Sequence, residues 1–289
     1  MGKLLTPSIV RKLTQTSGIY ANKRLGQNFM VDSSQVEKIV RLANVVDADN
    51  ILEVGPGLGS LTAGLLNAHA YVVAVEIDGK LSSMLKSTLQ GLGHNIENLK
   101  ILHADALMLK HDDQLEQCNK LVANLPYNVG VPILITLLTR FAALNEALVL
   151  VQAEVADRLT AEPGSKEYGI PSAKLAYFGV ASQSAVVPRS AFWPVPHVDS
   201  KLVKFTRYTS SPFCLNNNSV SQDDVFALIN LAFSARRKTL KSLLVADGYG
   251  LDIVQCALES LQIDLLARGE TLSIHNFVKL ASILKNSDV

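Results

Sequence analysis

Short apolar runs alternate with longer amphipathic segments through the middle of the chain. Five runs have the length and content of buried strands: Ile51–Val54, Tyr71–Val75, Leu99–Leu102, Leu121–Ala123 and Ala147–Val151. Segments with helical spacing lie between them, at Ser60–Asn67, Lys80–Leu89 and Pro132–Arg140. Strands that alternate with helices predict an α/β domain with a parallel sheet covered on both faces.

The flanking segments extend this domain in both directions. Asp32 is followed three residues later by Gln35, a pattern of helix N-caps, and predicts a helix through Leu42. After Val151, two further helices and two β-rich segments are predicted. These are Gln152–Leu159, Pro171–Phe178, Ala185–Pro188 and Lys201–Tyr208.

A polar linker and helical segments end the chain. The linker comprises Thr209–Pro212 and Asn216–Ser219, which are rich in turn-forming residues. Helical periodicity follows in three segments, Gln222–Leu244, Leu251–Leu261 and Ser273–Leu284. We therefore predict a sheet domain over 1–209 and a small all-helical domain over 210–289.

Composition narrows the class of protein. The 289 residues are 48% hydrophobic and carry a formal net charge of +1, which argues against a protein that simply coats nucleic acid, although a local basic face is compatible with it. Cys118, Cys214 and Cys256 are far apart and favour free thiols in a reducing compartment. The histidines show no metal-ligand spacing, so no metal is assigned.

The sequence also argues against a membrane protein. Met1 to Tyr20 alternate polar and apolar positions and lack the apolar run of a signal peptide. The longest apolar stretch, Val129–Leu138, is shorter than a membrane span. We therefore expect a soluble cytoplasmic protein.

A glycine-rich turn follows the first strand of the parallel sheet. Gly55, Gly57 and Gly59 stand at alternate positions, where glycine permits a sharp turn and close approach of a ligand. The third glycine comes one residue earlier than in the dinucleotide fingerprint. The pattern is closer to the nucleoside–amino-acid cofactor site of class I methyltransferases, with a plain tight turn as the alternative.

Two carboxylates end the next two strands. Glu76 can accept both hydroxyls of a ribose, and Asp105 can take an adenine amino group. Because both follow consecutive strands, we expect them to line one crevice. NAD fits these features as well.

The fourth strand ends in Asn124-Leu125-Pro126-Tyr127. An adenine N6 amine is a poor nucleophile because its lone pair is delocalised into the ring. The Asn124 side-chain carbonyl and the Leu125 backbone carbonyl can each accept one N–H and orient that nitrogen. Pro126 stiffens the turn, and Tyr127 offers a face on which an extruded base can stack. The tetrapeptide predicts methyl transfer to an adenine.

The chain resembles the KsgA family of ribosomal RNA adenine dimethyltransferases. The resemblance rests on six motifs in order: Leu25–Met30, the Glu53–Gly59 turn with Glu76–Asp78, Asp105–Ala106, Asn124–Asn128, Trp193–Ser200 and Phe233–Leu240. It implies a class I, Rossmann-like, S-adenosyl-L-methionine methyltransferase domain followed by a helical domain. It also implies the substrate, two adjacent adenines in the 3′-terminal hairpin of small-subunit rRNA, each dimethylated late in subunit assembly.

The resemblance also assigns residues to the cofactor. Together with Gly57 of the turn, the expected contacts are Asn28, Met30, Gly55, Glu76, Asp105 and Asn124. Met30 stands where the family usually has Leu, and Ser242 where Asn is common. Neither departure puts the activity in doubt.

Basic residues cluster near both ends of the chain. Lys3, Arg11, Lys12, Lys23 and Arg24 precede any acidic residue, and Arg236, Arg237, Lys238 and Lys241 lie on a predicted C-terminal helix. We predict RNA phosphate contacts for Lys23, Arg24, Arg236, Arg237 and Lys238. A flexible N-terminal tail that orders on RNA is also compatible, whereas Trp193 is expected to pack or anchor a loop.

Three alternatives compete with this interpretation. Large-subunit rRNA adenine methyltransferases of the macrolide-resistance type share the catalytic motif, but Val195–Ser200 and Arg236–Leu240 favour the small-subunit group. A non-catalytic assembly factor would not need Glu76, Asp105 and Asn124 intact. A NAD-dependent oxidoreductase leaves the tetrapeptide unexplained. We expect a monomer that acts on the immature small ribosomal subunit.

Overall fold

The computed structural model describes residues 1–22, 25–47, 49–110, 113–213 and 220–287. Its strands are β1 (Phe29–Met30), β2 (Asn50–Val54), β3 (Tyr71–Glu76), β4 (Leu99–His103), β5 (Lys120–Asn124), β6 (Glu146–Gln152), β7 (Gly179–Val187), β8 (Phe192–Trp193) and β9 (Ser200–Arg207). Its helices are α1 (Pro7–Ser17), α2 (Ser33–Leu42), α3 (Ser60–Asn67), α4 (Gly79–Gly91), α5 (Asp113–Glu116), α6 (Gly130–Arg140), α7 (Ala153–Leu159), α8 (Ile170–Phe178), α9 (Gln222–Ala232), α10 (Leu240–Ala246), α11 (Leu251–Ser260) and α12 (Ile274–Ser287).

Seven strands form the central sheet in the order β4-β3-β2-β5-β6-β9-β7. The pairs β2–β3, β3–β4, β2–β5 and β5–β6 are parallel, and β9 runs antiparallel to β6. The chain proceeds from β2 outward to β4 and then returns to the other side of β2 at β5. Such a reversal of strand order opens a crevice at the carboxyl ends of the strands, where α/β proteins bind their ligands. The predicted α/β fold is confirmed, and the two β-rich segments complete the sheet.

Local sequence signals set the helix starts. Asp32 caps α2 by accepting hydrogen bonds from the backbone N–H groups of Ser34 and Gln35, as predicted. The N-terminal segment, in contrast, forms α1 instead of a flexible tail. Thr6 caps this helix and Gly18 ends it at a φ of 58°. The interpretation as alternating polar and apolar positions missed the 3.6-residue period that buries one face of α1.

The chain divides into two compact units. The first comprises Met1–Ala156 and Ala181–Arg207, and the second comprises Asp157–Val180 and Tyr208–Val289. The later boundary lies close to the one predicted at 209/210, but the division assigns 157–180 to the helical unit. The reason is that Tyr168 is buried in the apolar core of that unit, where its hydroxyl donates to the Leu272 carbonyl at 2.9 Å.

One predicted helix is interrupted. The segment Gln222–Leu244 forms two helices, because α9 ends at Ala232 and α10 begins at Leu240. Thr239 caps α10 by accepting a hydrogen bond from the Ser242 N–H, and the Leu240 N–H donates to the Ala267 carbonyl at 2.8 Å. The prediction that Arg236, Arg237 and Lys238 lie on a helix is therefore wrong, since they lie in the turn between α9 and α10.

Each unit has its own apolar core. In the first unit the core lies along the sheet and includes Ile51, Leu65 and Val72. In the second unit it joins the helices through residues such as Ile229 and Phe277. Throughout the ranges that the structure describes, no helix has both the length and the apolar character that crossing a bilayer would require.

Candidate active site

A cleft of about 280 Å³ lies at the carboxyl ends of β2, β3 and β5 in the first unit. Its walls come from the segment before β1, the glycine turn after β2, the ends of β3 and β4, and the turn after β5. The lining residues include Leu25–Phe29, Gly55, Gly57, Glu76, Asp105 and Asn124–Val129. Because strand order reverses at β2 and β5, this is the position that the topology reserves for a ligand.

The glycine turn forms the floor of the cleft. Gly55 and Gly57 have φ values of 70° and 59°, in the left-handed region that favours glycine. A Cβ atom on Gly57 would lie only 3.0 Å from the Phe29 ring. The Gly57 N–H donates to Glu76 Oε2 at 3.0 Å. The turn therefore depends on glycine for both its conformation and its close packing.

Glu76 ends β3 and is buried at 4% exposure. Its Oε1 accepts a hydrogen bond from the Asp78 N–H at 3.0 Å, so both carboxylate oxygens have fixed positions. Burial raises the pKa of Glu76 above its ordinary value, the N–H groups of Asp78 and Gly57 oppose the shift, and the charge of Asp78 adds to it. Since each oxygen retains further acceptor capacity, this carboxylate fits the two hydroxyls of a ribose.

Asp105 follows β4 and lines the same cleft. Its Oδ1 accepts a hydrogen bond from the Leu107 N–H at 2.9 Å, which caps the 3-10 turn Ala106–Met108. The cap uses one carboxylate oxygen and fixes the orientation of the group. The second oxygen is the one suited to an adenine amino group.

The turn after β5 is held at two points. The Leu125 N–H donates to the Leu150 carbonyl at 3.1 Å, and Asn124 Nδ2 donates to the Asn28 carbonyl at 3.1 Å. The second bond fixes which way the Asn124 amide faces. Its Oδ1 is buried and has no hydrogen-bond partner. A buried acceptor without a partner is costly, and here it lies on the wall of the cleft.

Tyr127 is half-buried, and its hydroxyl group is held in place by a hydrogen bond. Its hydroxyl and the Ser200 hydroxyl are 2.7 Å apart, which ties the turn after β5 to the start of β9. Burial raises the pKa of the Tyr127 hydroxyl, the Ser200 hydrogen bond opposes this, and the charge of Asp199 adds to it. The ring borders both the cleft and a neighbouring cavity of about 160 Å³.

Most of the residues predicted from the sequence meet in this cleft. They are Asn28, Gly55, Gly57, Glu76, Asp105, Asn124, Leu125, Pro126 and Tyr127. Met30 is not among its lining residues. Its side chain is buried at 3% exposure, its carbonyl accepts a hydrogen bond from the Ser60 hydroxyl, and it lines a smaller cavity behind the glycine turn.

None of the predicted RNA-binding residues that the structure describes lines this cleft. Lys23 and Arg24 are outside the described residues. Arg236 donates to the carbonyls of Lys166 and Tyr168 at 3.0 and 3.1 Å within the second unit, so its guanidinium has an evident structural role. Arg237 and Lys238 are exposed, and their contact with phosphate stays a prediction.

Sequence reasoning assigned no chemistry to several residues in or beside the cleft. Phe29 packs over the glycine turn and stacks with Trp193 at 6.3 Å between ring centroids, so Trp193 anchors a loop as expected. Gln27 donates to Asp78 Oδ2 at 3.2 Å. Ser200, the partner of Tyr127, is also in this group. All lie in or beside the motifs quoted above, but their residue types indicate no particular chemistry.

Comparisons with known proteins identify the family of this chain. The family model for "Ribosomal RNA adenine dimethylase" matches residues 18–286. The chain belongs to this family. A "Ribosomal RNA small subunit methyltransferase A" from Leifsonia xyli subsp. xyli is 46% identical over 282 residues, covering 97% of this chain and 98% of the relative. A protein of the same name from Thermobifida fusca is 44% identical over 280 residues, covering 96% of each chain.

Solved structures show the same fold. A dimethyladenosine transferase from Plasmodium falciparum superposes with a TM-score of 0.74 at 25% identity, covering 90% of this chain and 98% of that chain. The 23S rRNA methyltransferase ErmE superposes with a TM-score of 0.64 at 21% identity, covering 89% of this chain and all of that chain, which shows the fold alone.

Membership of the family confirms three expectations. The chain is an rRNA adenine dimethyltransferase, it has the Rossmann-like methyltransferase fold, and S-adenosylmethionine is its methyl donor. The residues present fit that donor. The glycine turn leaves room for a ligand close to the backbone, Glu76 and Asp105 offer oriented acceptors, and Asn124, which lines the cleft, has a buried side-chain acceptor without a partner.

Proposed function

We propose that this protein dimethylates N6 of two adjacent adenines in the 3′-terminal hairpin of small-subunit rRNA during ribosome biogenesis. The observation that carries the catalytic part is the Asn124 amide, whose Nδ2 is fixed by the Asn28 carbonyl while its Oδ1 is buried without a partner. The names of the relatives, which specify the small subunit, support the choice of substrate.

The chain's own groups orient the target amine. Asn124 Oδ1 accepts one N6–H and the Leu125 carbonyl accepts the other, so that the nitrogen lone pair is directed at the methyl group. Because both acceptors are held in place by backbone contacts, they need little reorganisation when the reaction occurs. When bound, S-adenosylmethionine supplies a methyl group activated by its positively charged sulfur.

Tyr127 holds the extruded base in this account. An aromatic face can stack on any base, and the Ser200 hydroxyl at 2.7 Å restricts the ring to one orientation. With the amine held by Asn124 and Leu125 and the base held by Tyr127, a bound S-adenosylmethionine would supply the methyl group, and the methylated nitrogen would release its extra proton to water. No strong base is needed, since the proton is acidic once the nitrogen is positively charged.

The context of the reaction is part of the proposal. We infer that the enzyme works in the cytoplasm as a monomer and that its substrate is an immature small ribosomal subunit. The contacts with RNA phosphates are assigned to Lys23, Arg24, Arg237 and Lys238, of which Arg237 and Lys238 are exposed in the second unit. Arg236 is assigned to the architecture of that unit.

Transfer of labelled methyl groups tests the substrate. Unmethylated small subunits, large subunits and the corresponding naked RNAs are incubated with the enzyme and labelled S-adenosylmethionine, and the modified bases are mapped. We expect dimethyladenine at two adjacent positions of the small-subunit 3′ hairpin. Label confined to large subunits would move the protein to the resistance group. No label on any RNA would leave a non-catalytic assembly factor.

A further inference from the structure

Glu53 is a buried carboxyl group for which the reaction just described has no use. It lies on β2, two residues before Gly55, and is 1% exposed. Its Oε2 has no hydrogen-bond partner. Together with Asn28, Gly57 and Asn124, it lines a cavity of about 20 Å³ behind the glycine turn, which is room for about one water molecule.

The surroundings of Glu53 disfavour its charged form. Burial raises the pKa of Glu53 to about 8, the Thr62 hydroxyl and N–H oppose this, and the negative charge of Glu76 adds to it. Glu76 is the charged group contributed by β3. Thr62 of α3 is uncharged, and so are the other residues that line the small cavity, among them Asn124 of β5 and Met30 of β1. No cation of the described residues contributes to its environment.

The small cavity and the cofactor cleft share their walls. Asn28, Phe29, Gly55, Gly57 and Asn124 line both. A positive charge that enters the cleft therefore acts on Glu53 through the shared protein wall, where charges interact more strongly than in water. The methyl donor brings such a charge on its sulfonium sulfur, whereas the thioether product has lost it. The amino and carboxylate groups of the donor are unchanged in the product.

We propose that Glu53 determines the preference of the site for the sulfonium donor over the thioether product. The carboxyl group keeps its proton while the cleft is free or holds the product, and it releases that proton to solvent when the sulfonium binds. The donor complex then contains a carboxylate that attracts the sulfonium charge, and methyl transfer removes that attraction. This inference rests on the proposed use of S-adenosylmethionine.

Titration calorimetry tests the inference. S-adenosylmethionine and S-adenosylhomocysteine are titrated into the full-length protein from pH 6.5 to 9 in buffers of different ionisation enthalpy. Near pH 7 we expect donor binding to release up to about one proton and product binding to release none. The ratio of the two dissociation constants should shift towards the donor as pH rises and level off above about pH 8, by at most about tenfold for each unit by which the donor lowers the Glu53 pKa.

The matched variant is Glu53→Gln, which keeps the size of a neutral carboxyl group and cannot ionise. It should bind the product with the wild-type affinity of pH 6.5 and the donor more weakly than the wild type does, with no proton release from this position and no pH-dependent ratio of the two dissociation constants. Proton release that persists in Glu53→Gln would identify Glu76 or another group as its source and overturn the inference.

Infrared difference spectroscopy of the wild-type protein needs no variant. The carbonyl band of a protonated carboxyl group should disappear when the donor is added and persist with the product. A spectrum without that band in the free protein would overturn the inference. Failure of the protein to bind S-adenosylmethionine would instead contradict the proposed function, so the two failures can be told apart.

Discussion

Two buried carboxyl groups at opposite ends of β2 have opposite surroundings. Asp49, at the amino end, is 7% exposed and receives hydrogen bonds from Lys120 Nζ at 2.9 Å, the Val46 N–H at 2.9 Å and Asn119 Nδ2 at 3.3 Å. Burial alone would raise its pKa, but these partners hold it below the ordinary value. Glu53, at the carboxyl end, is buried more deeply, and its Oε2 has no hydrogen-bond partner.

The contrast extends to the two edges of the sheet. At the edge of the sheet where the parallel strands begin, Lys120 Nζ also donates to the Asn44 carbonyl at 3.0 Å. Both members of the Asp49–Lys120 ion pair therefore have further hydrogen-bond partners. At the carboxyl-end edge, Glu53 Oε2 and Asn124 Oδ1 are buried without partners. Since leaving a buried polar atom unpaired is costly, we interpret the first edge as built for stability and the second as built to receive ligands.

Removing the Lys120 cation, at the edge where the strands begin, should have the largest effect on the stability of the protein. Lys120→Met leaves Asp49 buried without its charge partner, and we expect the free energy of unfolding to fall by about 3–5 kcal/mol. The double variant Asp49→Asn/Lys120→Met should recover part of this loss. Urea denaturation at pH 7 measures both, and a loss below about 1 kcal/mol would contradict the role assigned to this pair.

The same pair predicts a pH dependence. Because folding lowers the pKa of Asp49, its contribution to stability is present above the unfolded pKa and is lost as pH falls through the folded pKa. The difference in stability between wild type and Lys120→Met should therefore be largest near neutral pH and shrink in acid. A difference that grows in acid would contradict this assignment.

At the ligand-binding edge, Asn124→Ala should abolish most of the activity while leaving the fold intact. The variant removes one preorganised acceptor, and we expect methyl transfer to slow by about 10²–10³-fold. Binding of S-adenosylmethionine should remain measurable. Single-turnover transfer and calorimetry separate the two effects, with the exposed Asn95→Ala as a matched control. Turnover like that of the wild type would exclude the proposed role of Asn124.

Tyr127 should show an intermediate effect. Tyr127→Ala removes the stacking face, worth about 1–3 kcal/mol per base, and should lower methyl transfer more than cofactor affinity. Tyr127→Phe keeps the ring but loses the hydrogen bond to Ser200, and should cost about 0.5–1.5 kcal/mol. Steady-state kinetics on small subunits measures both, and an unchanged rate in Tyr127→Ala would mean that the base stacks elsewhere.

The smallest effect is expected in the second unit. Alanine at both Arg237 and Lys238 should lower RNA affinity and flatten its salt dependence, by about 0.7–0.9 in logarithmic slope for each phosphate that the protein no longer binds. Arg236→Ala should instead destabilise the second unit, because its guanidinium holds two backbone carbonyls. An unaltered salt dependence of RNA affinity in the double variant would mean that Arg237 and Lys238 are solvated surface residues that do not bind phosphate.

The features that could be predicted from the sequence are those that short, local patterns encode. The glycine turn, the strand-end carboxylates and the Asn124–Tyr127 turn follow from short patterns, and the structure brings them to one cleft. The interaction of Tyr127 with Ser200 could not be predicted, because these residues are far apart in sequence. Met30 is predicted to contact the cofactor by resemblance alone, whereas in the structure it lines the smaller cavity and not the cleft.

The boundary between the two units could not be predicted from local sequence patterns either. The segment 157–180 follows the sheet strands in sequence, yet Tyr168 packs into the helical core. The break before α10 depends on Leu240 binding the distant Ala267 carbonyl, which periodicity within the segment cannot reveal. Tertiary contacts override local pattern in both cases.

The most direct test of this account is a crystal structure of the protein with S-adenosylhomocysteine and adenosine. We predict that the adenine N6 lies within hydrogen-bond distance of Asn124 Oδ1 while Asn124 Nδ2 keeps its bond to the Asn28 carbonyl. An adenine bound with N6 away from Asn124, or an amide that turns to another partner in the complex, would contradict the claim that this edge of the sheet is built to receive the target base.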